Sequence, residues 1–141
     1  MKKFFLDTNF IMDLLVRGPE YSIEAKKVLD EGVIRDYQFY VSFLSVANFA
    51  YINRKGEKKR LRENIELICD LFIIIPNDKN NLIQAWDYEP KDYEDALQYS
   101  CAISNKCDCI ITRNESDYRF SKIPIWSPSE FLERIPAFTL K

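Results

Sequence analysis

Residues 92–118, DYEDALQYSCAISNKCDCIITRNESDY, restrict the fold more than any other stretch of the chain. Two acids three apart, Asp92 and Asp95, open a run with helical spacing, and a short polar turn follows it. Cys109, Ile110, Ile111 and Thr112 then read as a strand that ends in the polar cluster Arg113, Asn114, Glu115, Ser116 and Asp117. In an open parallel sheet the crossover helices run antiparallel to the strands, so helix starts and strand ends lie on one edge. Asp92, Asp95, Asn114 and Asp117 are therefore expected to meet there. Several carboxylates in one crevice repel one another unless a cation sits among them, which points to metal-assisted chemistry.

The rest of the chain supplies the remaining strands and helices. Lys3 to Leu6 is a short apolar run ending in Asp7-Thr8-Asn9, a buried first strand with an acid at its end. A helix follows from Phe10 until Gly18-Pro19 breaks it, and Ser22 is expected to cap a second helix that Gly32 stops. Phe39 to Val41 reads as a second strand, with Ser42 as N-cap for a helix over 43–54. That helix is apolar nearly all round, the mark of a central buried element, except for Ser42, Ser45 and Asn48, which share a face.

A charged amphipathic helix over 56–70 leads to the strand Phe72 to Ile75. Its run Lys55, Lys58, Lys59, Arg60 and Arg62 reads as a solvated face. Asn77 is expected to cap the next helix. A strand around Ile123 to Trp126 precedes a last helix begun by Ser127-Pro128-Ser129-Glu130. Strands alternating with helices give an α/β fold with a mainly parallel sheet, in one domain over 1–141.

Composition mostly excludes. With no histidine, Ser-His-Asp and Cys-His catalysis and the usual zinc hydrolase sites are ruled out. Twenty basic against 22 acidic residues leave a net charge of −2, so contact with nucleic acid has to be local. The four cysteines have no Cys-x-x-Cys spacing and read as reduced thiols of a cytosolic protein, and no apolar run approaches a membrane span. Carboxylate chemistry with a hard cation remains.

The stretches FFLDTNFIMDLL, VSFLSVANFAYI and DYEDALQYSCAISNKCDCIITRNESDY together resemble a PIN domain, the metal-dependent ribonuclease fold of the VapC toxins of bacterial toxin–antitoxin pairs. The resemblance spans essentially the whole chain and implies a three-layer α/β/α fold. It implies that Asp7, Asp95 and Asp117 are the catalytic acids and hold Mg²⁺ or Mn²⁺. Thr8, Asn9, Ser45, Asn48, Asp92, Thr112 and Asn114 are expected to support the site. Arg113 is expected to contact RNA phosphate. Implied partners are RNA, single-stranded or structured, an antitoxin protein and a second copy of the chain, in the cytoplasm and away from membranes.

The chain departs from the family at Asn48, where such domains usually carry a glutamate on the third helix. An amide offers a carbonyl oxygen but no charge. One alternative is therefore a catalytically weakened PIN-like module that binds RNA or protein. Another is a phosphatase of the haloacid dehalogenase kind, which also begins with a strand ending in aspartate but carries Asp-x-Asp where this chain has Asp7-Thr8-Asn9. Asp92 also reads as a plain N-cap, and Asn48 as the partner of a buried backbone group.

Overall fold

Lys3–Leu6 (β1) lies at the centre of the molecule because Phe4, Phe5 and Leu6 are fully buried, on both faces of a sheet. A computed structural model describes residues 2–139, with side chains through Ile135. The elements that follow are Thr8–Leu15 (α1), Pro19–Ile34 (α2), Gln38–Ser42 (β2), Phe43–Ile52 (α3), Lys58–Leu71 (α4), Ile73–Ile75 (β3) and Lys79–Asp87 (α5). Then come Tyr93–Ser104 (α6), Cys109–Ile111 (β4), a 3₁₀ turn over Glu115–Tyr118, Ile125–Trp126 (β5) and Pro128–Thr139 (α7). The five strands are all parallel in the order β3-β2-β1-β4-β5. β1 thus sits at the point where strand order reverses, with Phe5 opposite both Tyr40 and Ile110. The crevice beyond the carboxyl ends of β1 and β4 is where such sheets bind ligands.

Alternation along the strands sorts the core into two layers. Phe4, Leu6, Val41, Cys109 and Ile111 face Phe10, Val28, Ile68, Phe131 and Ile135, so α1, α2, α4 and α7 cover one side. Phe5, Tyr40 and Ile110 face Tyr99, Cys101 and Ala102 of α6, and α5 packs on α6. The three-layer α/β/α expectation holds.

Several local expectations need correction. Gly18 is the N-cap of α2, at φ +99° where a side chain would strain, and Pro19 takes the first helical position, so the pair starts a helix as well as ending one. Ser22 is therefore inside α2, not its cap. Gly32 does not stop α2 either. It lies inside the helix because a Cβ there would come within 2.1 Å of the Phe39 ring. Asp78, not Asn77, caps α5 in a reciprocal capping box with Asn81.

The most consequential correction is α3. Apolar all round, it is nonetheless a surface helix that buries only Ser45 and Phe49, leaving Phe43 67 % exposed and Tyr51 and Ile52 each 55 %. Its apolar outer face is free for other contacts.

Candidate functional site

Asp7 stands at the junction of β1 and α1. Its Oδ1 accepts the Phe10 amide at 3.1 Å, capping α1. Its Oδ2 accepts the Thr112 hydroxyl from the end of β4 at 2.6 Å, and the same hydroxyl accepts the Asn114 amide at 3.1 Å. Asp7 is only 4 % exposed, and among the described residues no Lys or Arg pairs with it. Burial pushes its carboxyl up to about 6 even though Thr112 and Phe10 pull the other way.

Beside Asp7 opens a cleft of about 360 Å³ lined by Thr8, Asn9, Asn48, Tyr51, Ile52, Asp92, Glu94, Asp95 and Asp117. α6 presents Asp92 at its N-cap and Glu94 and Asp95 in its first turn, and the 3₁₀ turn after β4 presents Asp117. Burial pushes the Asp95 carboxyl up to about 7, and Asp92, Asp117, Asp7 and Glu94 each add repulsion in that order. None of the lining residues is basic. The cleft is an uncompensated concentration of negative charge.

Asp95 and Asp117 thus come together in the cleft, with Asp7 buried behind them. Asp92 is the N-cap of α6, accepting the Glu94 amide at 2.8 Å, while also lining the cleft. Ser45 lies deeper. Its hydroxyl accepts from Gln98 Nε2 at 2.5 Å and from Thr8 Oγ1 at 3.1 Å, and Ser42 donates to Gln98 Oε1 at 2.6 Å. Buried Gln98, one turn beyond Asp95, therefore ties α6 to α3 and its N-cap, and Ser45 carries the link on to Thr8 of α1. Asn48 holds no backbone group: its amide donates to Glu94 Oε1 at 2.5 Å.

Arg113 is not where a phosphate contact was expected. Its Nε and a terminal nitrogen bond Asp13 at 2.7 and 3.0 Å, and the guanidinium stacks on the Tyr21 ring at 4.6 Å. Asp13 is buried on α1, and Arg17 also binds it at 2.9 Å while donating to Asn9. A charge that deeply buried needs such partners, and it takes Arg113 out of the cleft. Arg17 touches the lining through Asn9 but is committed to Asp13, and Arg54 lies 3.9 Å over the ring of Tyr51 at the cleft's edge. Sequence reasoning passed over Arg54, Tyr51 and Glu94. A cation three residues after an aromatic on one helix was the signal available for the first two.

A family profile for the PIN domain matches residues 3–116. The chain belongs to the PIN domain family. This sets the phosphatase alternative aside. The chain is 28 % identical over 141 residues to ribonuclease VapC1 of Aquifex aeolicus, covering 94 % of this chain and 95 % of that one. The PIN fold is shared with the structure of VapBC2 from Rickettsia felis bound to a DNA fragment from their promoter. There the TM-score is 0.73 at 15 % identity, over 89 % of this chain and 98 % of that one. A toxin–antitoxin complex from Klebsiella pneumoniae gives 0.64 at 22 %, over 88 % and 96 %.

The donors of the cleft suit a hard cation. Among the described residues no three Asp, Glu, Cys or His side chains close into a ready cage. Carboxylate and amide oxygens around an open cleft fit Mg²⁺ or Mn²⁺, of which Mg²⁺ in particular keeps part of its water shell. The buried Tyr118 hydroxyl has no hydrogen-bond partner among the described residues. Burial, then Asp7, Asp95 and Asp117, hold it well above the usual phenol range, so it remains a proton donor in the field of these acids.

Proposed function

We propose that this PIN domain, taken as one unit over 1–141, is a metal-dependent ribonuclease that hydrolyses RNA phosphodiester bonds and is the toxin of a toxin–antitoxin pair. The observation that carries this reading is the acidic cleft around Asp95, with its carboxyl pushed to about 7 and no basic residue in the lining. The name of the Aquifex aeolicus relative and the family match support the reaction class.

Asp95, Asp117 and Asp7 are the residues that would hold Mg²⁺ or Mn²⁺. Such a cation supplies Lewis-acid polarisation of the phosphodiester and a water acidified enough to attack phosphorus. Thr112 keeps Asp7 in one orientation, and Gln98 with Ser42 and Ser45 keeps α6 from rolling Asp95 out of place. Tyr51 offers an exposed ring for stacking an unpaired base, and Arg54 beside it replaces Arg113 as the phosphate contact. Lys55 and Arg60, on the adjoining pocket that shares Ile52 with the cleft, extend this basic side.

The apolar groove formed by Leu14, Leu15, Leu29, Val33, Leu67 and Leu71 is assigned to an antitoxin segment. A second copy is assigned to the apolar face of Phe43, Leu44, Ala47 and Leu82. Among the described residues no helix is long and apolar enough to cross a membrane, and the reading places the protein in the cytoplasm.

Cleavage of a mixed unstructured RNA by purified protein tests the reaction. Cutting with Mg²⁺ or Mn²⁺ that stops with EDTA and in Asp95→Asn is expected. Retention of RNA without cutting under any of these metals would contradict it and favour a binding module.

A further inference from the structure

We propose that Glu94 is a working carboxylate of the acidic cleft and that Asn48 is the residue that positions it there. The proposal rests on the metal-dependent reading above and changes the meaning of Asn48 from a lost charge to a holder of one.

Asn48 lies on α3 and Glu94 in the first turn of α6, and the 2.5 Å bond from Asn48 Nδ2 to Glu94 Oε1 bridges the two helices across the cleft that both residues line. An amide suits this task. It donates a hydrogen bond and so fixes the carboxylate, but carries no charge and leaves the negative charge available to a cation. A lysine or arginine at the same place would hold Glu94 and cancel it, and a second carboxylate would push it away. The Glu94 backbone is fixed as well, since its amide is bonded to the Asp92 side chain and Asp95 follows it in the same turn. Glu94 therefore reaches the cleft from the same turn as Asp95. An acid in a first helical turn also stabilises the helix dipole, but that role requires no partner on α3.

The test is Mn²⁺ binding to the intact protein by titration calorimetry, run beside RNA cleavage, for Glu94→Gln, Asn48→Ala and the exchange Asn48→Glu with Glu94→Gln. Glu94 is exposed, so these variants are expected to fold, which circular dichroism checks. Glu94→Gln is expected to weaken Mn²⁺ binding about tenfold or more, and Asn48→Ala by a smaller factor in the same direction. The exchange returns one carboxylate and one amide to the same place and is expected to recover affinity to within about threefold. Native Mn²⁺ affinity in Glu94→Gln would overturn the proposal. So would an exchange that stays at the Glu94→Gln level, since the loss would then come from shape and not charge. A Glu94→Gln defect alongside native affinity in Asn48→Ala would overturn the positioning role. Native protein that binds Mn²⁺ through Glu94 without cutting RNA would sink the ribonuclease reading alone, whereas cutting with Mn²⁺ affinity indifferent to Glu94 would sink this one alone.

Discussion

Asp7 and Asp13 lie six residues apart around α1 and are equally buried, yet their surroundings differ in kind. Asp13 is held by the guanidinium groups of Arg113 and Arg17, three charge-assisted bonds of 2.7–3.0 Å that tie α1 to the loop after β4. Asp7 is held by uncharged donors, the Thr112 hydroxyl and the backbone amides of Phe10 and Asn9, and the acids nearest it in the cleft have no basic neighbour in the lining. The chain thus shows how it neutralises a buried acid when structure is the purpose. Around Asp7 and Asp95 no such cation is built in, which is the basis of the metal-dependent reading proposed above. Asp13 with its arginines is the frame, and the cleft of Asp95 is what the frame holds in shape.

The largest way to break the comparison is on the cleft side. Asp95→Asn is expected to reduce metal-dependent RNA cleavage roughly a hundredfold to a thousandfold while leaving the fold intact, measured as kcat/KM on one unstructured RNA. On the frame side, Asp13→Ala is expected to destabilise the protein by about 3 kcal/mol, less than a fully buried pair because the guanidinium of Arg113 is 38 % exposed. Thermal unfolding checks this, and a Tm drop below about 3 °C would show that the two arginines find water instead.

The two sides should also differ in pH dependence. The carboxyls of Asp7 and Asp95 are raised to about 6 and about 7, so the native state binds their protons more tightly than the unfolded chain, whose carboxyls titrate near 3.8. The corresponding stability is fully present below about pH 4, declines from there, and its last part is lost as pH rises through 6 to 8. Metal-free protein is expected to lose about 1 to 2 kcal/mol over that window, after discounting Asp95 for its partial exposure. Asp95→Asn should flatten the upper half of the curve, which denaturant melts at pH 5 and pH 8 would show. The smallest expected effect lies at the rim. Arg54→Ala should weaken RNA binding while reducing the slope of log affinity against log salt by about one.

The parts of this molecule legible in its sequence were those carried by short-range pattern. A strand that is apolar on both faces and ends in Asp7, a helix opened by Asp92 and Asp95, and the loop bearing Asn114 and Asp117 all reveal themselves within a few residues, and the edge of a parallel sheet brings them together. What was missed depends on distance or on context. The partner of Arg113 is 100 residues away, and that of Glu94 is 46 away, so nothing local distinguished a committed arginine from a free one. The apolar surface of α3 misled for a different reason: it reads as core but faces outward. Gly32 looked like a helix stop because only the Phe39 ring packed on it explains a glycine there.

The most direct test of the central claim is the effect of Mn²⁺ on thermal unfolding at pH 7.5, compared between the native protein and Asp95→Asn. A cation that the cleft has been left to receive should stabilise the native protein by about 2.7 kcal/mol at a hundred times its dissociation constant, a rise in Tm of roughly 8 °C, and should leave Asp95→Asn nearly unmoved. An equal rise in both proteins, or none in either, would mean that the acids around Asp95 do not hold a cation and that the cleft is not what the fold was built to present.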